Sequence, residues 1–293
     1  MTDAELPAPY GDGGAAPVPP AEASNGVKRP GRVRIHHLQQ AKDEGRHFAM
    51  LTAYDQYAAQ VFDDAGIEVL LIGDSAANNV LGHATTLPIT LDEMILFSRT
   101  VSLAASTALV VADLPFGSYE VSPEQAVESS VRLLKEGLVH AVKMEGSAAY
   151  AETVRALVRA GIPVMAHIGF TPQSEHALGG YRVQGRGETA QRLLDDALAL
   201  EEAGAFCVLM EMVPDEVARS IDTALGVPTI GIGAGAGTTG QVLVWQDMAG
   251  LRGGRQAKFV KQYADLRGTL SEAARSFAAD VRSGTFPGPE HSF

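Results

Sequence analysis

Residues 69–75 read Val69-Leu70-Leu71-Ile72-Gly73-Asp74-Ser75, an apolar run that ends in a carboxylate where a strand would meet a loop. Similar apolar runs end at Asp113 and Glu145, and a fourth run carries Glu211 in the corresponding place. Continuous apolar runs of this length are typical of parallel strands that are covered on both faces. Parallel strands end on one face of a sheet, so these acids are expected to converge. Converging carboxylates repel one another unless a cation lies between them, which predicts a divalent-metal site on a barrel rim.

Helix patterns alternate with the strand runs along most of the chain. Thr90 and Glu93 have the spacing of a capping box, and Gly137 and Gly161 fall where glycine commonly ends a helix. We predict strands near residues 47–53, 68–73, 108–113, 140–145, 163–168, 206–211, 228–233 and 241–246. We predict helices over residues 55–65, 90–106, 123–136, 148–160, 189–203, 215–225 and 257–281.

Eight strands in βα alternation predict an α/β fold of the closed (β/α)8 TIM barrel type, because right-handed crossovers make this closure the simplest. The chain has 293 residues and is 46% hydrophobic, which suits one barrel of about 250 residues. We therefore predict a single catalytic barrel domain over residues 31–293, including a C-terminal helix and tail. An open doubly wound sheet remains the alternative, since only a glycine-rich turn separates the last two strands.

Charge and composition exclude several classes of protein. The formal net charge is −12 and no basic stripe is visible, so a nucleic-acid partner is not expected. No apolar stretch approaches the roughly 20 residues that a membrane span requires. The single cysteine, Cys207, cannot form an internal disulfide. Residues 1–30 are rich in Ala, Pro and Gly without the apolar segment of a secretory signal, so we predict a disordered leader and a cytoplasmic location.

The metal hypothesis rests first on Asp74 and Asp113, because Mg²⁺ prefers one or two carboxylates together with water and substrate oxygens. Each acid alone could equally be a turn or cap residue. Lys143 and Glu145 are two residues apart on one strand and therefore point to the same face. They could form an ion pair inside the barrel. In the functional interpretation, Glu145 belongs to the metal site and Lys143 faces an anionic substrate oxygen.

Other candidates for chemistry lie in later strands and loops. Glu211 stands between two methionines, an apolar setting that suits a proton acceptor near neutral pH. His167 ends another strand and could be structural or could orient a substrate. Residues 169–187, called the lid segment below, are glycine-rich with two arginines and predict a mobile lid or a long structural connection. The glycines within 231–237 could bind phosphate or form a tight turn.

The ordered motifs resemble those of the ketopantoate hydroxymethyltransferase family over residues 31–293. The resemblance rests on Gly73-Asp74-Ser75, Ala112–Phe116, Lys143–Gly146, His167–Ser174, Gly179–Gly187, Glu211–Pro214, Gly231–Gly235 and Glu290–Phe293. The chain departs from the usual family pattern at 76–79, at Ser147 and at Glu175-His176. None of these departures falls on the proposed metal or base positions.

The resemblance implies a barrel of the phosphoenolpyruvate/pyruvate superfamily type and a homo-oligomer, usually a decamer. It implies Mg²⁺-assisted transfer of a hydroxymethyl group from 5,10-methylenetetrahydrofolate to 3-methyl-2-oxobutanoate, giving 2-dehydropantoate in the first step of pantothenate biosynthesis. By motif, Mg²⁺ positions fall on Asp74, Asp113 and Glu145. Keto-acid contacts fall on Asp74, Ser75, Asp113 and Lys143, and the proton acceptor falls on Glu211. Apart from the resemblance, we assign His167 to substrate orientation.

Three other functions compete with this one. A Mg²⁺ carbon–carbon lyase or phosphonomutase of the same superfamily would keep the fold, but a lid cysteine is common there and Cys207 is predicted mid-strand. A phosphate-binding barrel isomerase would depend on residues 231–237, which have no cation nearby in the sequence. A non-catalytic scaffold would gain nothing from the clustered carboxylates.

Overall fold

Eight parallel strands form a closed barrel in the computed structural model, which describes residues 31–293. The predicted leader, residues 1–30, lies outside the described residues. The strands are β1 (Phe48–Thr52), β2 (Val69–Ile72), β3 (Leu109–Asp113), β4 (Ala141–Glu145), β5 (Val164–Gly169), β6 (Cys207–Glu211), β7 (Thr229–Ile232) and β8 (Gly240–Leu243). Because β8 pairs with β1 as well as with β7, the predicted TIM barrel is confirmed and an open sheet is excluded.

The helices surround the barrel or cover its ends. They are α1 (Ile35–Asp43), α2 (Gln56–Ala65), α3 (Ala76–Asn79), α4 (Leu91–Ala104), α5 (Pro123–Glu136), α6 (Ala151–Arg159), α7 (Glu175–Leu178), α8 (Thr189–Glu202), α9 (Asp215–Ala224), α10 (Trp245–Met248) and α11 (Leu266–Ser283). The predicted capping box is present, since Thr90 accepts from the backbone N–H of Glu93 and the Glu93 carboxylate accepts from that of Thr90.

Two apolar layers follow from the two-residue period of the strands. Leu70 and Ile72 belong to the layer between the barrel and the helices, whereas Val69 and Leu71 belong to the layer inside the barrel. Leu38 of α1 belongs to the interior layer as well, so α1 closes the end of the barrel at which the strands begin.

The interior rows of four strands end in polar side chains. In β3 the interior row leads from Leu109 and Val111 to Asp113. By the same alternation, β4 continues from Ala141 to Lys143 and Glu145, β5 from Met165 to His167, and β6 from Cys207 and Leu209 to Glu211. The apolar part fills the barrel, and the polar ends form one layer at the carboxyl ends of the strands.

The last two predicted elements differ in position from those observed. The eighth strand was predicted over 241–246, but Trp245 already begins α10, and its backbone N–H donates to Thr52 Oγ1 at the end of β1. The C-terminal helix was predicted over 257–281 but begins at Leu266. Before it, the backbone N–H of Tyr263 donates to the Met248 carbonyl, which holds this stretch against α10 in a non-helical path.

The C-terminal helix α11 has no buried residue. It exposes Leu270, Phe277 and Val281, and the Phe277 ring packs only edge-on against Phe286, at 5.6 Å between ring centroids. An 18-residue helix with exposed apolar side chains is a surface that another protein molecule could cover. Across residues 31–293, no helix combines the length and the apolar character that crossing a membrane requires.

Candidate active site at the carboxyl ends of the strands

Three buried carboxylates and one buried ammonium meet at the end of β2, β3 and β4. Lys143 Nζ lies 3.0 Å from Asp113 Oδ1, as their neighbouring positions in the β3–β4 register allow. Asp113 Oδ2 accepts from the backbone N–H of Asp74 at 2.9 Å, which fixes the turn after β2 against β3. Asp74, Asp113, Lys143 and Glu145 are each at most 4% exposed. The structure therefore brings the predicted acids and lysine into one cluster.

The charges of this cluster do not balance. Three carboxylates face one ammonium, so two negative charges stay uncompensated when all are ionised. Burial, and then the charges of Asp113 and Glu145, raise the pKa of Asp74 well above its usual range. Burial likewise raises the pKa of Glu145 to about 8. For Lys143 burial alone would lower the pKa, but the surrounding carboxylates raise it above its ordinary value, so the lysine stays charged.

A divalent cation fits this imbalance, because it would neutralise two buried negative charges without adding protons. Among residues 31–293, no three His, Cys, Asp or Glu side chains already form a closed metal cage. A Mg²⁺ site differs from such a cage, since it takes one or two carboxylates and completes its octahedron with water and substrate oxygens. The donor set of hard oxygens and the excess negative charge suit Mg²⁺, with Asp74, Asp113 and Glu145 as the candidate ligands.

Gln173 connects two of the acids, although the sequence signalled it only as part of a Thr-Pro-Gln-Ser run. Its side-chain amide donates to Asp74 Oδ2 at 2.9 Å, and its backbone N–H donates to Glu145 Oε2 at 3.0 Å. Tyr119 donates to Gln173 Oε1 at 2.6 Å. A buried glutamine needs such partners for every polar atom, and here it finds them among site residues.

His167 lies between Lys143 and Glu211. The charged Lys143 ammonium has no acceptor, so it must donate to His167 Nδ1, 3.3 Å away. Burial and the Lys143 charge lower the pKa of His167, so the ring is neutral and carries its proton on Nε2. That nitrogen lies 3.4 Å from Glu211 Oε2, longer than an ordinary hydrogen bond. The Nε2–H donor of His167 is therefore directed towards the Glu211 carboxylate but does not make a full hydrogen bond to it.

Glu211 is the least enclosed acid of the site, with 16% of its side chain exposed. Its position depends on a close backbone approach between β5 and β6, where Gly169 pairs with Glu211. Gly169 has φ +91°, and a Cβ there would collide with the carbonyl oxygen of Glu211 and lie 2.8 Å from Val213 Cγ2. Met212, directly after the acid, has a positive φ of 50° without being glycine, which marks local backbone strain at the candidate base.

Ser75 is held by a tyrosine that sequence reasoning missed. The hydroxyls of Tyr54 and Ser75 lie 2.8 Å apart, and Tyr54 is buried after the end of β1. Asn79 donates to the Ser75 carbonyl at 2.9 Å, which ties the far end of α3 back to the same residue. The Ser75 side chain is thereby oriented at the rim, next to Asp74.

The lid segment crosses the rim beside the acids. It contains a 3-10 turn, Pro172–Ser174, followed by α7. Beyond α7, the Tyr181 ring packs against Phe170, with 4.7 Å between centroids, and the backbone N–H of Gln184 donates to the Met212 carbonyl. The lid segment therefore contacts both the carboxylate cluster and the strand end that carries the candidate base.

A cavity of about 410 Å³ opens between the end of the lid segment and the residues that follow Glu211. Its lining includes Val183, Arg186, Val213, Val217 and Gly233. Its volume lies in the range of 300–1,000 Å³ that is usual for small-molecule sites. It opens on the same face of the barrel as the acids, beside the ends of β6 and β7.

The glycines within 231–237 pack against side chains of neighbouring elements. A Cβ at Gly235, which has φ +75°, would collide with the Asp215 carboxylate, and one at Gly233 would lie 2.8 Å from the Phe259 ring. The structure brings Arg219 next to Gly237, but its guanidinium pairs with Asp215 at 3.2 Å. Close packing accounts for these glycines, and the adjacent acid disfavours a phosphate there.

Cys207 is fully buried inside the barrel, at the start of β6 and below Leu209 and Glu211. Burial raises the pKa of its thiol far above the ordinary value. It is therefore remote from the lid segment in position and chemically inert, which argues against the lyase or phosphonomutase alternative with a reactive lid cysteine.

The fold and the site together define a class of protein. Solved structures of the same fold include a phosphonopyruvate hydrolase bound to oxalate and Mg²⁺, with a TM-score of 0.57 at 16% identity, covering 88% of this chain and 92% of that one. They also include 2,3-dimethylmalate lyase, a member of the PEP mutase/isocitrate lyase superfamily, with a TM-score of 0.54 at 19% identity, covering 87% and 92%. These likenesses show the fold, a closed (β/α)8 barrel, as the sequence predicted.

Residues 32–289 match the family described as ketopantoate hydroxymethyltransferase, and the chain belongs to that family. It is 72% identical over 292 residues to a 3-methyl-2-oxobutanoate hydroxymethyltransferase of Paenarthrobacter aurescens, covering 100% of this chain and 97% of the relative. It is 70% identical over 291 residues to one of an Arthrobacter species, covering 99% and 96%. The predicted family and enzyme class are confirmed.

Proposed function

We propose that this chain transfers a hydroxymethyl group from 5,10-methylenetetrahydrofolate to 3-methyl-2-oxobutanoate, in the presence of Mg²⁺, with Glu211 as the proton acceptor. The observation that carries the proposal is the buried cluster of Asp74, Asp113 and Glu145 around Lys143, with Glu211 beside it across His167. The high identity to relatives named for this reaction supports the substrates. The product is 2-dehydropantoate, so the step belongs to pantothenate biosynthesis.

Asp74, Asp113 and Glu145 would hold the Mg²⁺. When bound, this ion supplies Lewis-acid stabilisation of the enolate oxygen and a template for the keto acid. A neighbour of the same fold was solved with Mg²⁺ and oxalate, a small dicarboxylate, which supports this assignment. Glu145 Oε2 already accepts from the backbone N–H of Gln173. Glu145 would therefore bind the Mg²⁺, directly or through a water molecule, with its other oxygen, Oε1.

The remaining residues bind and orient the keto acid. Lys143 places a permanent positive charge beside the carboxylates, where it can also face an anionic substrate oxygen. Ser75, oriented by Tyr54, can donate to the substrate carboxylate. The buried Nε2 of His167 lies 3.4 Å from Glu211 Oε2, without a full hydrogen bond, so it can orient either the base or a bound substrate.

Glu211 takes the proton from carbon 3 of the keto acid. Its partial exposure lets it exchange that proton with solvent. The one-carbon unit then gains a bond to the enolate carbon and a bond to a water oxygen, while both of its bonds to the folate nitrogens break. Tetrahydrofolate leaves, with one nitrogen taking the proton from Glu211 and the other taking a proton from the water. We place the folate ring in the 410 Å³ cavity beside the strand end that carries Glu211.

We further propose that the protein is a homo-oligomer, with the decamer of the resemblance as the expected size. The exposed apolar side chains of α11 support an assembly of identical chains, because they have no cover within residues 31–293. A single barrel domain, a cytoplasmic location and the absence of nucleic-acid partners remain predictions.

The test is to follow both half-reactions of the purified protein by NMR in D₂O. With 3-methyl-2-oxobutanoate and Mg²⁺ alone, the carbon 3 proton should exchange for deuterium. With folate added, 2-dehydropantoate should form. Exchange that is insensitive to a chelator would reject the metal, and a lack of product with active exchange would reject the folate assignment.

A further inference from the structure

The Gln173 side chain satisfies every one of its polar atoms within the site. The Tyr119 hydroxyl, whose pKa is raised mainly by burial, stays protonated and donates to Gln173 Oε1 at 2.6 Å. Gln173 Nε2 donates to Asp74 Oδ2 at 2.9 Å and to the Leu114 carbonyl at 3.0 Å. The Leu114 carbonyl can only accept, so only the orientation that turns the amide nitrogen towards it satisfies all three contacts.

These contacts select which carboxylate oxygens remain free. Asp74 Oδ2 is occupied by the Gln173 amide, and Glu145 Oε2 is occupied by the Gln173 backbone N–H. The oxygens that Gln173 leaves free are Asp74 Oδ1 and Glu145 Oε1, and the latter lies 3.5 Å from His167 Nδ1. One residue therefore orients two candidate Mg²⁺ ligands from different elements, Asp74 in the turn after β2 and Glu145 at the end of β4.

Gln173 also belongs to the lid segment. It lies in the Pro172–Ser174 turn, directly before α7 and the chain that continues to Arg186. Within residues 31–293, no other residue of the lid segment donates a hydrogen bond to the carboxylates of the cluster. Gln173 is therefore the residue through which the lid segment hydrogen-bonds to the acids.

We propose that Gln173 is a positioning residue that couples the lid segment to the metal site. It orients Asp74 and Glu145 for the cation, and a bound cation in turn holds the lid segment in its closed path. Coupling of this kind is reciprocal, so a change in either partner must be felt by the other. The inference rests on the Mg²⁺ proposed above.

The test uses the full-length protein without substrates, with Mn²⁺ as a paramagnetic probe and Mg²⁺ as its competitor. Gln173→Met keeps the length of the side chain and removes its polar atoms. Ser174→Ala, an exposed neighbour in the same turn, is the matched control. We expect Gln173→Met to weaken Mn²⁺ binding by about 10–100-fold, the usual effect of removing a residue that orients metal ligands. The control should bind as the wild type does.

Hydrogen exchange of residues 176–187 gives the second readout. In the wild type and in Ser174→Ala, Mg²⁺ should slow exchange in this part of the lid segment. In Gln173→Met, exchange should respond less to Mg²⁺ even at concentrations that saturate the site, because the side-chain contact to Asp74 is lost while the backbone N–H still donates to Glu145. A residue that merely stabilised the fold would lower the melting temperature but leave this response intact.

Tyr119→Phe guards against a folding defect of the first variant. It removes one hydroxyl and leaves both donors of Gln173 in place, so its loss of Mn²⁺ affinity should be smaller and in the same direction. Unchanged affinity and unchanged lid response in a folded Gln173→Met would overturn the inference. If the wild type itself bound neither Mn²⁺ nor Mg²⁺, the metal proposal would fail instead.

Discussion

Replacing Glu211 by glutamine isolates proton abstraction from substrate binding. Glutamine keeps the shape and one carbonyl oxygen, which can still accept from His167 Nε2, at 3.4 Å in the present structure. The keto-acid contacts assigned to Asp74, Ser75 and Lys143 are untouched, so the Kd of the keto acid should change by no more than a few-fold. The amide cannot accept the carbon 3 proton, and carbon 3 exchange should fall.

The size of that fall follows from what remains near Glu211. The nearest basic group is His167, but its pKa is lowered by burial and its Nδ1 lone pair accepts from Lys143, so it offers no free acceptor. The other acids are buried and engaged with Lys143 or Gln173. No substitute base is in reach, and the loss should approach the upper part of the range of about 10²–10⁴ for general-base catalysis. A loss of about 10³–10⁴ corresponds to about 4–5 kcal/mol in activation free energy.

The assay is proton NMR of 3-methyl-2-oxobutanoate in D₂O with Mg²⁺ and no folate. Titration of the same samples by changes in substrate linewidth gives the Kd. Exchange at the wild-type rate in Glu211→Gln would refute the assignment of the base. Lost exchange together with lost keto-acid binding would mean that Glu211 binds the substrate, which the geometry does not support.

Three further predictions test the backbone, the charges and the cavity. Gly169→Ala should lower the free energy of unfolding in urea by more than the roughly 1–3 kcal/mol of a strained backbone, because the new Cβ would collide with the Glu211 carbonyl. It should also lower carbon 3 exchange. Gly161→Ala is the control: Gly161 has φ +81° and no atom within 4 Å of an added Cβ, so this variant should lose only the backbone contribution. The pKa of Glu145 is about 8 in the folded protein and 4.5 in the unfolded chain. Between pH 7 and 8.5 the folded state therefore still holds a proton that the unfolded state has already lost, and the chelator-treated protein should become less stable as the pH rises. Thermal unfolding should therefore show a larger Mg²⁺-induced rise in Tm at pH 8.5 than at pH 7, and equal rises would contradict the buried-charge argument. Val217→Phe should narrow the cavity and raise the folate KM while leaving carbon 3 exchange intact; reduced exchange would place Val217 in the keto-acid site instead.

The period of two in the strands is the reason that much of the site could be predicted from sequence. Lys143 and Glu145 share a face because side chains two apart on a strand must do so, and Asp113 joins them through the β3–β4 register. The closed barrel followed from eight βα repeats in the same way. These features depend on local pattern and on a topology with few alternatives.

The residues that were missed act through loops. Tyr54, Tyr119 and Gln173 reach the site because three separate connections fold over the rim, and no sequence spacing specifies which side chain meets which acid. The start of α11 was wrong for a related reason. The stretch before Leu266 has a helical pattern, but tertiary hydrogen bonds to α10 compete with the helix and prevail.

The uncompensated charge of the cluster links stability and function. Without a cation, Asp74 and Glu145 are neutral over part of the physiological pH range because burial and repulsion disfavour their ionised forms. Lys143 offsets only one of the three possible negative charges. The cluster therefore destabilises the fold most when all three acids are ionised, which is also the state best able to bind Mg²⁺. Apolar residues at these positions would give a more stable barrel. The chain instead buries three acids, and Gln173 orients two of them, Asp74 and Glu145, through one oxygen each. A cation bound by their other oxygens explains this arrangement best.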